Sequence, residues 1–242
     1  MKLTYCLPVL ALVAVPVMAE EEAKSWEGEA ELGALITSGN TNETNIKGRI
    51  DVTHDMENWR NNYLVEYFNS EKEEQTTAEK YRAAAQGDYK FNDKDFWFVR
   101  GSYEKDRFSG FDFQAVAATG YGSRVWKQDK NFLELAGGLG YRFNKLEMVN
   151  EAGEDSEEEY IARLSGRFEY HLSKTALFKQ EIQSEIGLED NNVITESITS
   201  VQASVMGNLA MKVAYKVKHT SKVPADTDKT DTETSLTLLY TF

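Results

Sequence analysis

From Trp26 to the end of the chain, apolar and polar residues alternate one by one, and no long segment follows the 3.6-residue period of a helix. The pattern is clearest over 160–172. There Tyr160, Ala162, Leu164, Gly166, Phe168, Tyr170 and Leu172 share one face, and Arg163, Ser165, Arg167, Glu169 and His171 share the other. The same split recurs at 209–218, where Leu209, Met211, Val213, Tyr215 and Val217 oppose Lys212, Lys216 and Lys218. It recurs again at 133–143 and at 46–52, where Ile46, Ile50 and Val52 oppose Lys47, Arg49 and Asp51. A period of two is the signature of strands with one apolar face. It predicts twelve strands, over 26–37, 43–55, 59–71, 78–91, 95–107, 111–126, 131–146, 159–173, 176–189, 193–206, 209–221 and 231–242.

The connections carry a second alternation. Those after even-numbered strands are tight, around 56–58, 92–94, 127–130, 173–175 and 207–208. Those after odd-numbered strands tend to be longer and polar, at 38–42, 72–77, 147–158 and 222–230. Short turns at one end and long loops at the other are the pattern of an outer-membrane barrel. Of the three prolines, two lie in the first 19 residues and Pro224 lies in an expected loop, so no proline interrupts a strand ladder.

Alternation alone fits a soluble barrel or sandwich equally well, with the apolar face turned inward. Twelve strands would then enclose a lumen too wide for the small residues of that face, Ala83, Ala85, Ala115, Ala117, Gly137 and Ala203, to fill. Turned outward, the same residues face lipid. All four tryptophans, Trp26, Trp59, Trp97 and Trp126, fall at strand ends on the short-turn side. Phe91, Phe96, Phe132, Phe178 and Phe242 join them, as an interfacial aromatic girdle requires. Tyr67, Tyr81, Tyr103, Phe113 and Tyr160 form a sparser girdle at the other rim. The expected fold is therefore all-β, a transmembrane antiparallel up-and-down barrel of about twelve strands. An even strand count returns both termini to the short-turn, periplasmic side. The last strand then closes on the first, and Leu236, Leu238, Tyr240 and the terminal Phe242 form the apolar signal expected to be read by the barrel-assembly machinery.

The first residues agree with that destination. Lys2, an apolar stretch from Leu3 to Met18 and the small-x-small pattern Val17-Met18-Ala19 read as a signal peptide over 1–19, leaving 20–242 as the barrel domain of a Gram-negative outer-membrane protein. The single cysteine, Cys6, lies in that signal, so the mature chain needs no disulfide. The net charge of −13 becomes −14 when Lys2 is removed, a balance that argues against nucleic acid. The partners expected instead are outer-membrane lipid, lipopolysaccharide and the assembly machinery, with the barrel as a monomer.

The opening WEGEAELGALITSGNTNETNIKG (26–48), with its Thr-Ser-Gly-Asn-Thr turn, and the closing TETSLTLLYTF (232–242) resemble the salt-induced outer membrane protein family, a family of unknown function. The likeness spans essentially the whole mature chain. It implies the barrel and a role in salt or osmotic adaptation of the envelope, and it supplies no catalytic residues.

His219 lies near Thr220, Ser221, Asp226 and Asp228, yet a neighbouring Ser and His on one strand point to opposite faces or lie too far apart along it, and loops are rich in such residues by composition. An outer-rim hydrolase is the weakest reading, and the chain is expected not to be an enzyme. The acidic runs 154–159 and 226–233 lack the spacing of a calcium loop and read as solvated acid; no cofactor or metal is expected. The informative polar set is the inward one. Arg49, Arg82, Arg100, Glu134, Arg142, Arg163, Arg167, Glu169, Lys212 and Lys216 lead it, with Glu29, Glu31, Lys47, Asp51, Glu66, Asp88, Glu104, Lys179, Glu181 and Glu185. The near balance of sign predicts cross-strand ion pairs filling a narrow wet lumen. A small passive pore for ions or polar solutes is the alternative, with these charges as its lining.

Overall fold

In the computed structural model, residues 26–37, 43–73, 75–107, 109–149, 153–189, 191–223 and 228–242 are described. The expected signal peptide and Asp226 lie outside them. Among the described residues there are twelve strands: β1 (Trp26–Thr37), β2 (Glu43–Asp55), β3 (Trp59–Lys72), β4 (Gln75–Lys90), β5 (Asp95–Asp106), β6 (Phe111–Gln128), β7 (Asn131–Leu146), β8 (Ser156–His171), β9 (Ala176–Gly187), β10 (Val193–Met206), β11 (Leu209–Thr220) and β12 (Thr230–Thr241). Each pairs antiparallel with its sequence neighbour, and β1 pairs with β12, which closes the barrel. Closure leaves no edge strand, the condition for crossing a bilayer on strands.

The faces sort as the period of two requires. Leu32 (66% exposed), Val65, Leu139 (63%), Tyr160, Leu164 and Leu236 stand outward. Glu31, Arg142, Arg163, Lys179 and Lys212 are buried within. Ile161 and Leu239 are completely buried on the inner side of their strands. The outer face also carries hydroxyl and amide groups on β9 and β10, and these satisfy one another. Gln180 Nε2 donates to Ser197 Oγ at 2.9 Å, and Thr199 Oγ1 donates to Gln180 Oε1 at 2.6 Å. Mutual pairing removes the cost of unbonded polar groups in hydrocarbon.

Two strand starts lie three residues earlier than in the sequence reading. β4 begins at Gln75, so the long connection expected over 72–77 is a tight one. Glu73 takes a left-handed conformation (φ 50°) to reverse the chain, and a bulge between Ser70 and Glu71 absorbs the register change. β8 begins at Ser156, which draws Glu157, Glu158 and Glu159 out of the expected acidic loop and into the ladder. Donors on β7 account for this. Arg142 holds Glu159 at 2.6 Å, and the Tyr141 hydroxyl donates to Glu158. At the loop end Lys145 donates to Asp155, holding that carboxyl below its ordinary range.

The aromatic rims also need a correction. Trp26, Trp59, Phe91, Trp97, Trp126 and Phe242 stand outward at the short-turn end, as expected. Phe96 (4% exposed) and Phe132 instead point into the lumen. In Phe96-Trp97-Phe98 only alternate residues can share a face, so an outward Trp97 forces both phenylalanines inward. At the opposite rim Tyr67–Tyr81, Tyr103–Phe113, Phe113–Phe143 and Tyr141–Tyr160 touch, with ring centroids 4.9 to 5.7 Å apart.

The seam explains the regular end of the chain. Gly28 and Phe242 exchange both backbone hydrogen bonds at 3.0 Å, and the pairing continues through Leu32↔Leu238. The Phe242 ring lies over Gly28, where any Cβ would strike it. Gly120 and Gly138 make a second close approach. They face each other across β6 and β7, and a side chain on either would hit the neighbouring backbone.

Candidate functional site

The lumen brings together every charged residue expected there, and its ion pairs fall into layers along the barrel axis. Near the short turns, Arg60 of β3 reaches Asp88 at 2.7 Å and Glu134 of β7 at 3.0 Å, while Arg124 reaches Glu134 at 3.2 Å. Arg167 pairs with Glu169, and Lys179 lies 3.8 Å from the same carboxylate. The inward phenylalanines sit beneath these cations. Arg60 stands 5.0 Å over Phe96, and Arg124 stands 4.5 Å over Phe132, distances at which the ring face attracts a guanidinium.

A second group ties the seam from inside. Glu31 Oε1 accepts from Lys212 at 2.7 Å and from Arg49 at 3.0 Å, and its other oxygen accepts from Thr237 at 3.2 Å. Lys47 of β2 reaches over β1 to Glu233 of β12 at 2.5 Å. Arg49 also engages Asp51 at 2.6 Å and Glu66 at 3.2 Å.

The third group crosses the lumen. Arg82 of β4 meets Glu196 of β10 at 3.0 Å, and Lys216 lies 2.8 Å from the same glutamate. Lys218 of β11 meets Glu104 of β5 at 2.7 Å. In the closed order of strands, β4 and β10 stand half a ring apart, and so do β5 and β11. Twelve strands at about 4.8 Å spacing and a tilt near 40° enclose a circle roughly 24 Å across. Two side chains meeting head to head span much less, so the barrel is flattened at this level, with opposite walls locked together. Beyond it Arg142 holds Glu159, while Arg163, on the cavity side, holds Glu185 at 2.7 Å and Gln183 at 2.6 Å.

The space divides accordingly. On the short-turn side lies a cavity of about 430 Å³ lined by seven arginines, among them Arg60, Arg100 and Arg163. It shares Glu27, Asp51, Asn62 and Arg167 with a mouth of about 310 Å³ beside Phe242. On the long-loop side, among Arg82, Glu104, Arg142, Glu196 and Lys218, about 60 Å³ remains. Sequence reasoning missed Glu196, Arg60 and Arg124. Arg60 has the parity of Glu66, but Arg124 has the parity of the outward Trp126 until the bulge between them, and Glu196 lies between Ile194 and Ile198, which disguises its face as apolar.

The polar residues beside His219 are engaged in other contacts. His219 Nδ1 lies 2.8 Å from Thr230 Oγ1, while Ser221 Oγ accepts from the Val193 amide and donates to Asn192. His54 stacks on Trp26 at 3.9 Å, and His171 contacts Asn131. Among the described residues, no group of three or more His, Cys, Asp or Glu is placed to hold a metal ion.

The family model described as "Protein of unknown function, DUF481" matches residues 30–242. The chain belongs to the DUF481 family. The uncharacterized protein YdiY of Escherichia coli (strain K12) is 27% identical over 218 residues, covering 90% of this chain and 83% of that protein. Among solved structures, the translocator domain of the autotransporter NalP from Neisseria meningitidis superposes with a TM-score of 0.51 at 12% identity, over 92% of this chain and 90% of that one. The NanC porin superposes with a TM-score of 0.51 at 14% identity, over 88% and 98%. At such identities the likeness is one of fold: this DUF481 barrel has the architecture of outer-membrane translocators and porins.

Proposed function

We propose that this chain is a non-enzymatic outer-membrane pore of low conductance, exported by its N-terminal signal and inserted by the barrel-assembly machinery as a monomer among lipid and lipopolysaccharide. Its wet vestibule faces the short-turn, periplasmic side. Passage of ions or small polar solutes is limited by the layer that joins opposite walls. The observation that carries this reading is the pair of bridges Arg82–Glu196 and Lys218–Glu104 between strands half a ring apart, above a cavity of about 430 Å³. Paired charges of both signs close the constriction without presenting a single-sign ring, so discrimination between cations and anions is weak. The role in salt adaptation implied by the sequence resemblance rests on that resemblance alone.

Planar-bilayer recording of the purified, heat-modifiable barrel tests the reading. The double variant Arg82→Gln, Glu196→Gln removes the bridge while keeping similar volume and leaving no charge of that pair alone. Its single-channel conductance in potassium chloride is expected to exceed that of the wild type several-fold. Silence from both folded proteins would refute the pore, and equal conductance would refute the bridge as its constriction.

A further inference from the structure

Arg100 stands apart from the other lumen cations. Among the described residues it makes no ion pair or hydrogen bond, and its Nε is buried without a partner. The carboxylates around it are already taken. Glu185 lies 2.7 Å from Arg163 and 3.9 Å from Arg142. Glu196 is shared by Arg82 and Lys216, Glu66 by Arg49 and Arg82, and Glu104 by Lys218 and Arg82. The charges acting on Arg100 include two cations, Arg163 and Arg82, as well as the engaged carboxylates Glu185 and Glu196. The register sets Arg100 against Gln86 of β4 and the small Ala118 of β6, and its guanidinium lines the 430 Å³ cavity together with Arg163, Ser165 and Gln86.

The guanidinium has five N–H donors and cannot shed its proton, and its buried Nε is left without an acceptor, which is costly. Each of these four carboxylates already has a cation partner. We propose that Arg100, with Arg163 beside it, binds a small solute through a carboxylate or phosphate group entering from the short-turn mouth. The planar fork of Arg100 matches either group in a bidentate contact, Arg163 adds field, and Ser165 and Gln86 supply neutral donors. The cavity volume suits a small molecule and excludes a polymer chain coiled within it. The site rests on the wet vestibule of the proposed pore but not on passage through it, so binding and conductance can fail separately.

The test uses the full mature barrel in detergent micelles, titrated calorimetrically with inorganic phosphate in one arm and succinate in the other, at ionic strength fixed with chloride. Saturable binding in at least one arm is expected, and the responding arm identifies the headgroup. Arg100→Gln should weaken it at least about tenfold, the size of one charge-assisted contact. Arg107→Gln, a change at an exposed arginine near the long-loop rim, should leave it intact. Without anion, the unfolding midpoint of Arg100→Gln should match or exceed the wild type, because an uncompensated buried charge has gone. No saturable binding in either arm, undiminished binding in Arg100→Gln, or a lowered midpoint that marks the arginine as structural would overturn the proposal.

Discussion

Glu31 receives donors from three other strands, Arg49 of β2, Lys212 of β11 and Thr237 of β12, and its side chain is almost fully buried. Glu31→Ala leaves Lys212 facing the lumen without its nearest carboxylate, and breaking a buried pair from one side costs about 3–5 kcal/mol. Glu31→Gln keeps the volume and one acceptor and should lose less. Urea unfolding in lipid vesicles measures both, and a change below about 1 kcal/mol for Glu31→Ala would show that the hub contributes little. The inward placement of Glu31, Arg49 and Lys212 was readable from alternation. Their meeting was not, because β1, β2, β11 and β12 are distant in sequence and only ring closure brings them together. Phe96 shows the converse. Its neighbourhood of tryptophans suggested the girdle, but parity against Trp97 decides its face, and Arg60 above the ring makes an inward aromatic tolerable.

At the scale of the strand, the last element is shaped by its fit to the first. The Phe242 ring covers Gly28 on the outer face while the two backbones exchange hydrogen bonds, so the glycine makes room for the ring and the ring covers backbone that would otherwise meet lipid unshielded. Gly28→Val inserts a branched side chain where the ring lies, and overpacking of this kind costs about 1–3 kcal/mol. Phe242→Ala removes contact area. Because the two changes act on one contact, the double variant should be more stable than the sum of the single effects, by more than about 0.5 kcal/mol in a double-mutant cycle. Strict additivity would mean that ring and glycine do not interact. Strand spans were legible because both faces repeat every second residue. The start of β8 was not, since Glu157 to Glu159 resemble a solvated loop until Arg142 and Tyr141 on the neighbouring strand are seen to hold Glu159 and Glu158.

For the whole molecule, the decisive question is which face meets lipid, and alternation by itself leaves it open. The inner face settles it physically. A lumen crossed by Arg82–Glu196 and Lys218–Glu104 cannot also be an apolar core, so the apolar face must find its nonaqueous surroundings outside. Pairings half a ring apart could not be read from spacing, since no local pattern links β4 to β10. Leu139, in the middle of β7 and 63% exposed, tests the consequence. In a bilayer, Leu139→Arg places a cation near mid-depth and should cost about 2–4 kcal/mol, whereas an arginine at Trp126, at the short-turn rim, should carry only about 0–1 kcal/mol of charge penalty beyond the loss of the ring. In water an exposed leucine replaced by arginine would be neutral or mildly favourable, because the charge stays solvated. Unfolding free energies in lipid vesicles for Leu139→Arg, Trp126→Arg and Trp126→Ala separate the cases. A penalty at Leu139 that exceeds the Trp126 difference identifies the outer face as the lipid face, and a neutral Leu139→Arg would mean that the barrel does not stand in the membrane as drawn.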